Sequence, residues 1–80
     1  MSCEGQKVYT VYLDGKLINT YSNFSKVKQL ELEGVKMPHR NTFDNNKPKD
    51  ITSDCTFQVN VKYIDSKKKG VLRIDVAIVQ

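Results

Sequence analysis

Apolar and polar side chains alternate on both sides of an Asp-Gly pair near the start of the chain. In KVYTVYLDGKLINTY, residues 7–21, valine, tyrosine, leucine and isoleucine dominate, and these residue types favour strands. Asp14 and Gly15 both accept the positive φ angles that a tight hairpin turn needs. The pattern predicts a first hairpin over 7–21 with Asp14-Gly15 at its tip. A two-residue loop and a bulged three-residue loop both fit the spacing, so the register stays open.

A second alternating pattern covers residues 55–79 and predicts a second hairpin. Its first strand would place one apolar set on a single face, and its second strand another, namely Phe57, Val59, Val61 and Tyr63, then Leu72, Ile74, Val76 and Ile78. The opposite face of 71–79 is also partly apolar, which indicates a central strand or one that is covered on both sides. A lysine-rich loop ending at Gly70 joins the two strands.

The segment 24–33 fits two patterns. Phe24, Val27 and Leu30 are spaced by three and would share one face of a helix, with an N-cap at Asn23 or a neighbouring serine and a stop at Gly34. Residues 30–33 read Leu-Glu-Leu-Glu, which is the alternation of a strand. We favour a short helix, and an edge strand remains the alternative.

These elements predict one small domain over residues 7–80, after an N-terminus, 1–6, that we expect to be disordered. The polar segment 37–54 is predicted to be a long loop. The fold class is therefore α+β, a small antiparallel sheet of two hairpins with one short helix between them. The alternative is an all-β arrangement of five short strands, in which residues 26–33 form the third.

The length, charge and cysteine content narrow the class of protein. Eighty residues make one domain, and no apolar run approaches the roughly 18 residues of a membrane span. The N-terminal MSCEGQKVY lacks the apolar core of a signal peptide, so we expect a cytoplasmic protein that does not contact a membrane. Both cysteines are expected to be reduced there, although a pairing of Cys3 with Cys55 stays open.

The chain lacks the residue constellations of common enzymes. Its four glycines are far apart, which argues against a phosphate-cradling loop, and His39 is the single histidine. Two cysteines and one histidine are too few for a structural zinc site. We therefore predict no catalysis, no metal, no cofactor and no small-molecule substrate.

Basic residues suggest nucleic acid as a partner. The net charge is +4, and only two of the thirteen basic residues are arginine, the side chain that most often reads bases. We expect contacts with phosphates of DNA or RNA and little sequence readout. The candidate contact residues are Lys67, Lys68, Lys69, Arg73, Lys62, Lys26, Lys28 and Arg40. Four tyrosines could stack on unpaired bases, namely Tyr9, Tyr12, Tyr21 and Tyr63.

The stretch VYLDGKLINTYSNFSKVKQLELEGV resembles the strand–turn–strand–helix start of small nuclease-associated DNA-binding modules. The resemblance covers Tyr9 to about Val35. Such modules continue directly into a second helix, whereas residues 36–41 here are Lys-Met-Pro-His-Arg-Asn. The resemblance adds weight to DNA binding and does not assign the chain to a family.

The alternative function is protein binding. A small inhibitor or adaptor could block a partner through an exposed edge strand or by inserting the 37–54 loop into a cleft. Small inhibitors encoded by viruses and mobile elements fit this outline, by analogy of class alone. The candidate partner-binding residues of the loop are His39, Arg40, Phe43, Lys47 and Lys49.

Overall fold

The described part of the chain folds into one five-stranded antiparallel sheet with two short helices packed on one of its faces. The computed structural model describes residues 6–79. The elements in chain order are β1 (Gln6–Leu13), β2 (Lys16–Tyr21), α1 (Phe24–Lys28), β3 (Val35–Lys36), α2 (Arg40–Asn46), β4 (Cys55–Tyr63) and β5 (Lys69–Val79). The strand order across the sheet is β2-β1-β5-β4-β3, so the last strand lies in the middle. The sheet curls into a half-barrel.

The first hairpin forms with the predicted turn. Asp14 and Gly15 have φ angles of 50° and 87°, and Leu13 pairs with Lys16, as a two-residue loop requires. Farther from the tip, Val11 pairs with Asn19, so one extra residue of β2 is accommodated as a bulge. The prediction of the hairpin is confirmed, and the open question of its loop length is settled in favour of two residues.

Strands β4 and β5 supply most of the core, on the faces that the sequence predicts. The inward side chains are almost fully buried and alternate along both strands with more exposed ones. The buried residues are Phe57, Val59, Val61, Leu72, Ile74 and Val76. Because β5 pairs with β1 on one side and β4 on the other, its predicted central position is confirmed.

The segment 24–33 begins as a helix and then leaves it early. The Asn23 side chain caps α1 by accepting a hydrogen bond from the Ser25 amide at 2.9 Å. Phe24 and Val27 are buried, and the Phe24 ring lies 5.3 Å from that of Tyr9. The helix ends at Lys28, six residues before Gly34, because Leu30 and Leu32 turn to pack on the core outside helical geometry. Gly34, at φ 77°, instead makes the turn into β3.

The segment 37–54 is not a loop throughout, and the prediction of a continuous loop is wrong. The segment contains α2. His39 is its N-cap, and Nδ1 of His39 accepts a hydrogen bond from the Asn41 amide at 3.2 Å. Phe43 anchors this helix and is only 1% exposed. One large buried side chain therefore stabilises a helix whose asparagine- and threonine-rich sequence has little helical preference of its own.

The balance of elements corrects the predicted fold class. The domain is small and mostly β, so it agrees with the all-β alternative more than with α+β. The third strand, however, is Val35–Lys36 and not residues 26–33. Strand β1 begins at Gln6, inside the N-terminus 1–6 that was predicted to be disordered; residues 1–5, including Cys3, lie outside the described part of the chain.

Candidate functional site

One face of the sheet is left uncovered by the helices. Both helices pack on the inner face, where Phe24 contacts Tyr9 and Phe57 through their rings. Side chains that alternate with the buried ones therefore point to the opposite side, which we call the open face. From β1, β4 and β5 it presents Thr10, Tyr12, Thr56, Gln58, Asn60, Lys62, Lys69, Val71, Arg73, Asp75 and Ala77.

Three lysines stand side by side at one end of the open face. Lys36 of β3 pairs directly with Lys62 of β4, and Lys62 pairs with Lys69 of β5. All three are exposed. Directly opposed residues have Cβ atoms about 4.5–5.5 Å apart, and like charges so placed repel each other. Among residues 6–79, the ion pairs join Lys28 to Asp44 and Arg73 to Asp75, and neither reaches this lysine row of Lys36, Lys62 and Lys69.

The loop between β4 and β5 adds two more cations next to the row. Lys67 and Lys68 lie in it, and the Tyr63 amide donates to the Lys68 carbonyl at 3.1 Å, which closes the loop. Lys67 and Lys68 line a hollow of about 240 Å³ together with Lys62, Tyr63, Ser66 and Lys69. A second hollow, of about 260 Å³, also borders Lys62 and includes Lys36 and His39. Lys62 therefore contributes to two concave surfaces.

Arg73 lies farther along the open face and already has intramolecular partners. Its guanidinium carbon is 4.4 Å from the centre of the Tyr12 ring, and its Nε is 3.3 Å from Oδ1 of Asp75. The same Asp75 oxygen accepts a hydrogen bond from the Thr56 hydroxyl at 2.9 Å. Arg73 is four residues from Lys69 on the same strand face, or about 13 Å at the usual strand rise. Its side chain is held over an aromatic ring.

Asp14 fixes the hairpin tip to the same end of the sheet. Its Oδ1 accepts from the Val71 amide at 2.9 Å, and its Oδ2 accepts a short hydrogen bond from the Tyr63 hydroxyl. The hydrogen bond from Tyr63 is the main cause that lowers the pKa of Asp14, and the bond from the Val71 amide adds to it. The same bond to Asp14 raises the pKa of Tyr63. Gly70 lies beneath them, since a Cβ there would come within 3.0 Å of the Tyr63 ring. Strands β4 and β5 are thus held together where the lysine row begins.

The other predicted contact residues lie on the two helices, which pack on the inner face of the sheet; we call this side of the molecule the helix side. They are Lys26 and Lys28 of α1 and Arg40 of α2. Lys28 is paired with Asp44 at 3.2 Å, and its Nζ also lies 5.4 Å from the centre of the Phe24 ring. Lys47 lies over the same ring at 4.7 Å. Lys26 and Arg40 are exposed, and Arg40 lines a hollow with Lys28. The structure therefore brings together Lys62, Lys67, Lys68 and Lys69, with Arg73 on the same face, but not Lys26, Lys28 and Arg40.

The predicted partner-binding residues of 37–54 are also divided. Phe43 is in the core, so its side chain is not available to a partner, because α2 turns it inward. His39 caps that helix and borders the second hollow beside the lysine row. Lys49 is exposed in the stretch between α2 and β4. The segment therefore presents His39, Arg40 and Lys49 at its surface, while its one phenylalanine is buried.

The four tyrosines differ in their access to a ligand. Tyr9 is 5% exposed and burial raises its pKa, while Tyr21 and Tyr63 pack against the core. Tyr12 is half-buried and lies on the open face. Of the rings considered for stacking, Tyr12 is the one whose position allows it.

Sequence reasoning did not identify Lys36 as a site residue. Its strand is two residues long, too short for an alternating pattern, and its neighbour Lys62 is distant in the chain. Only the pairing of β3 with β4 brings the two lysines together.

No described helix, within residues 6–79, is long and apolar enough to cross a membrane.

Comparison with known proteins returns no relative of this chain. No protein-family model matches it, and no curated protein and no solved structure is significantly similar to it. The geometry of the open face is therefore the basis on which a function is assigned.

Proposed function

We propose that this protein is a small, basic, non-catalytic binding protein that contacts nucleic-acid phosphates through the lysine end of its open face. The observation that carries the proposal is the lysine row, in which Lys36, Lys62 and Lys69 are directly opposed on three adjacent strands. Lys67 and Lys68 extend this surface at the loop. Arg73 belongs to the same face, and Lys26, Lys28 and Arg40 do not contribute to the interface.

The charge arrangement supports this function because it disfavours the isolated fold. Opposed like charges cost about 0.2–1 kcal/mol per pair relative to neutral residues. A bound polyanion would convert that repulsion into attraction and would release counterions from the phosphates. A solubilising role alone would not require three lysines in register, because lysines staggered along the strands would solubilise equally well.

Salt-dependent binding of labelled single- and double-stranded DNA and RNA tests the proposal. We expect binding at low salt, with a logarithmic affinity that falls linearly with the logarithm of salt concentration. Replacing Lys36, Lys62 and Lys69 with glutamine (the row variant) should reduce that slope by about 2–3, because each phosphate that is no longer neutralised removes about 0.7–0.9. Lack of retention of any of these nucleic acids at low salt would overturn the proposal.

A second variant controls for net charge. Lys26, Arg40 and Lys49 are exposed, lie off the open face, and can be replaced together with glutamine (the helix-side variant). Both variants remove three positive charges from a net charge of +4. If the lysine row is the contact surface, the helix-side variant keeps most of the salt slope. Equal reductions of the slope in the two variants would mean that net charge alone drives binding.

The open edge of β2 favours a second candidate, binding to a protein by strand addition. Strand β2 is at the edge of the sheet, has six residues and is mostly exposed, with Leu17 at 58%. Such an edge can pair with a strand of another protein. Replacing Asn19, which pairs with Val11 on the face away from Tyr12, with lysine should weaken binding of that partner and leave the salt slope for nucleic acid unchanged. A weaker affinity for nucleic acid in this variant would contradict the separation of the two surfaces.

A further inference from the structure

The open face carries groups suited to bases next to the groups suited to phosphates. On β4, Gln58 and Asn60 follow the same face as Lys62, and both are exposed. Gln58 is directly opposite Arg73, and Asn60 is opposite Val71. An amide side chain both donates and accepts hydrogen bonds, as base edges do, whereas a lysine only donates. The face therefore passes from a cationic end to a section with mixed hydrogen-bonding capacity.

Tyr12 and Arg73 form a stacking surface at the end of that section. The guanidinium carbon lies 4.4 Å from the ring centre, and the Arg73 side chain is 44% exposed. Asp75 holds the guanidinium by its Nε, and Thr56 holds Asp75, so the position of the group is fixed before any ligand arrives. Aromatic rings and arginine planes are the surfaces on which unpaired bases stack.

We propose that the open face binds single-stranded nucleic acid, with phosphates at the lysine row and bases over Tyr12 and Arg73. This inference rests on the proposed function, since it takes the lysine row as the phosphate contact. The two sections are about 13 Å apart along β5. A duplex buries its base faces in its own stack and offers phosphates and groove edges, whereas a single strand offers phosphates together with free base faces.

Affinity measurements on matched ligands provide the first test. Fluorescence anisotropy with a short labelled oligonucleotide, alone and annealed to its complement, should show tighter binding of the single strand at equal salt. Replacing Tyr12 with leucine should weaken binding of the single strand about 5- to 150-fold, which corresponds to the roughly 1–3 kcal/mol per base of stacking on one side chain, and leave the salt slope unchanged. Replacing Tyr12 with phenylalanine keeps the ring and should preserve the affinity.

A tryptophan reporter gives an independent second test. The chain contains no tryptophan, so Tyr12→Trp introduces a single tryptophan, which can be excited selectively, at the proposed stacking surface. Its fluorescence should be quenched by an unlabelled single strand. Val79→Trp serves as the control, because Val79 is 54% exposed at the far end of β5, about 20 Å from Arg73. The tryptophan of the Val79→Trp control should keep its fluorescence intensity when the single strand is added. Thermal unfolding of each variant verifies that it folds.

The outcomes separate the inference from the proposed function. Equal affinity for duplex and single strand, or no quenching of Tyr12→Trp while the row variant still binds more weakly, would overturn the inference and leave the phosphate contact standing. No binding to either nucleic acid at low salt would overturn both. Equally tight binding of poly-glutamate, an anion without bases, would mean that the face recognises negative charge alone and would also overturn the inference.

Discussion

Two sets of lysines on opposite sides of this molecule have the same chemistry and different surroundings. On the helix side, Lys28 is paired with Asp44, and the ammonium groups of Lys28 and Lys47 lie against the Phe24 ring. At the lysine row, Lys36, Lys62 and Lys69 face each other, and the ion pairs of the described residues leave them out. The first set contributes to the fold, whereas the second set opposes it. A count of basic residues cannot make this distinction, because it depends on which side chains lie next to each lysine.

The largest expected effect concerns the packing that supports the helix side. Phe43 is 1% exposed and is the one buried residue of α2, so Phe43→Ala should lower the free energy of unfolding by about 3–5 kcal/mol. Urea denaturation followed by circular dichroism measures this decrease. A decrease below about 1 kcal/mol would mean that α2 does not depend on the core.

The row variant should change stability in the opposite direction. Removing two opposed like-charge pairs is expected to stabilise the fold by about 0.2–1 kcal/mol for each pair, while the affinity for nucleic acid falls. Added salt should stabilise the wild-type protein more than the row variant, because screening weakens the repulsion. Urea denaturation at low and high salt measures both effects. If the row variant is less stable than the wild type, the lysines support the fold and the contrast between the two sets disappears.

Breaking the ion pair of the helix side should lower the stability by less than the Phe43→Ala substitution does. Asp44 is half exposed, so Asp44→Asn should cost about 0.2–1 kcal/mol because its attraction to Lys28 is removed. The row variant and this variant should therefore shift stability with opposite signs. Thermal unfolding at low salt resolves the difference, and in a Lys28→Gln background Asp44→Asn should cause no further decrease.

The smallest effect is expected from the bond between Asp14 and Tyr63, because the Asp14 side chain is exposed to solvent. A lowered Asp14 pKa contributes stability that is present above its ordinary value of 3.8 and is lost as pH falls through the folded-state pKa. The raised Tyr63 pKa contributes stability below 10.0 that is lost as pH rises through the raised value. Asp14→Asn keeps a residue that tolerates positive φ and removes the charge.

Stability measured from pH 7 to pH 3 should therefore fall more for the wild type than for Asp14→Asn. Parallel curves would show that this carboxylate does not contribute to the acid sensitivity.

The sequence predicts the parts of the fold that depend on local patterns. Asp14-Gly15 identifies the first turn because few residue pairs accept two positive φ angles, and the alternation in 55–79 separates the buried face from the open one. Helix α2 escapes prediction because Asn41, Thr42 and Asn45 are weak helix formers and one buried side chain, that of Phe43, holds the helix in place. Tertiary packing also ends α1 at Lys28, where the local pattern suggests a longer element.

The candidate site is predictable only in part, for a related reason. Lys67, Lys68 and Lys69 are adjacent in the sequence, so their cluster is visible there. The pairing of Lys36 with Lys62 depends on a strand register between segments that are distant in the chain. The stacking of Arg73 on Tyr12 likewise requires β5 to lie beside β1. Charge proximity across strands is a property of topology, and a single sequence does not reveal it.

A titration of isotope-labelled protein with a short single-stranded oligonucleotide, followed by amide chemical shifts in NMR spectra, tests the location of the interface most directly. We expect the largest shift changes in β3, in residues 58–73 and around Tyr12, with little change in α1 and α2. If the largest changes instead occur at Lys26, Lys28 and Arg40, and β3 is unperturbed, the lysine row is not the contact surface.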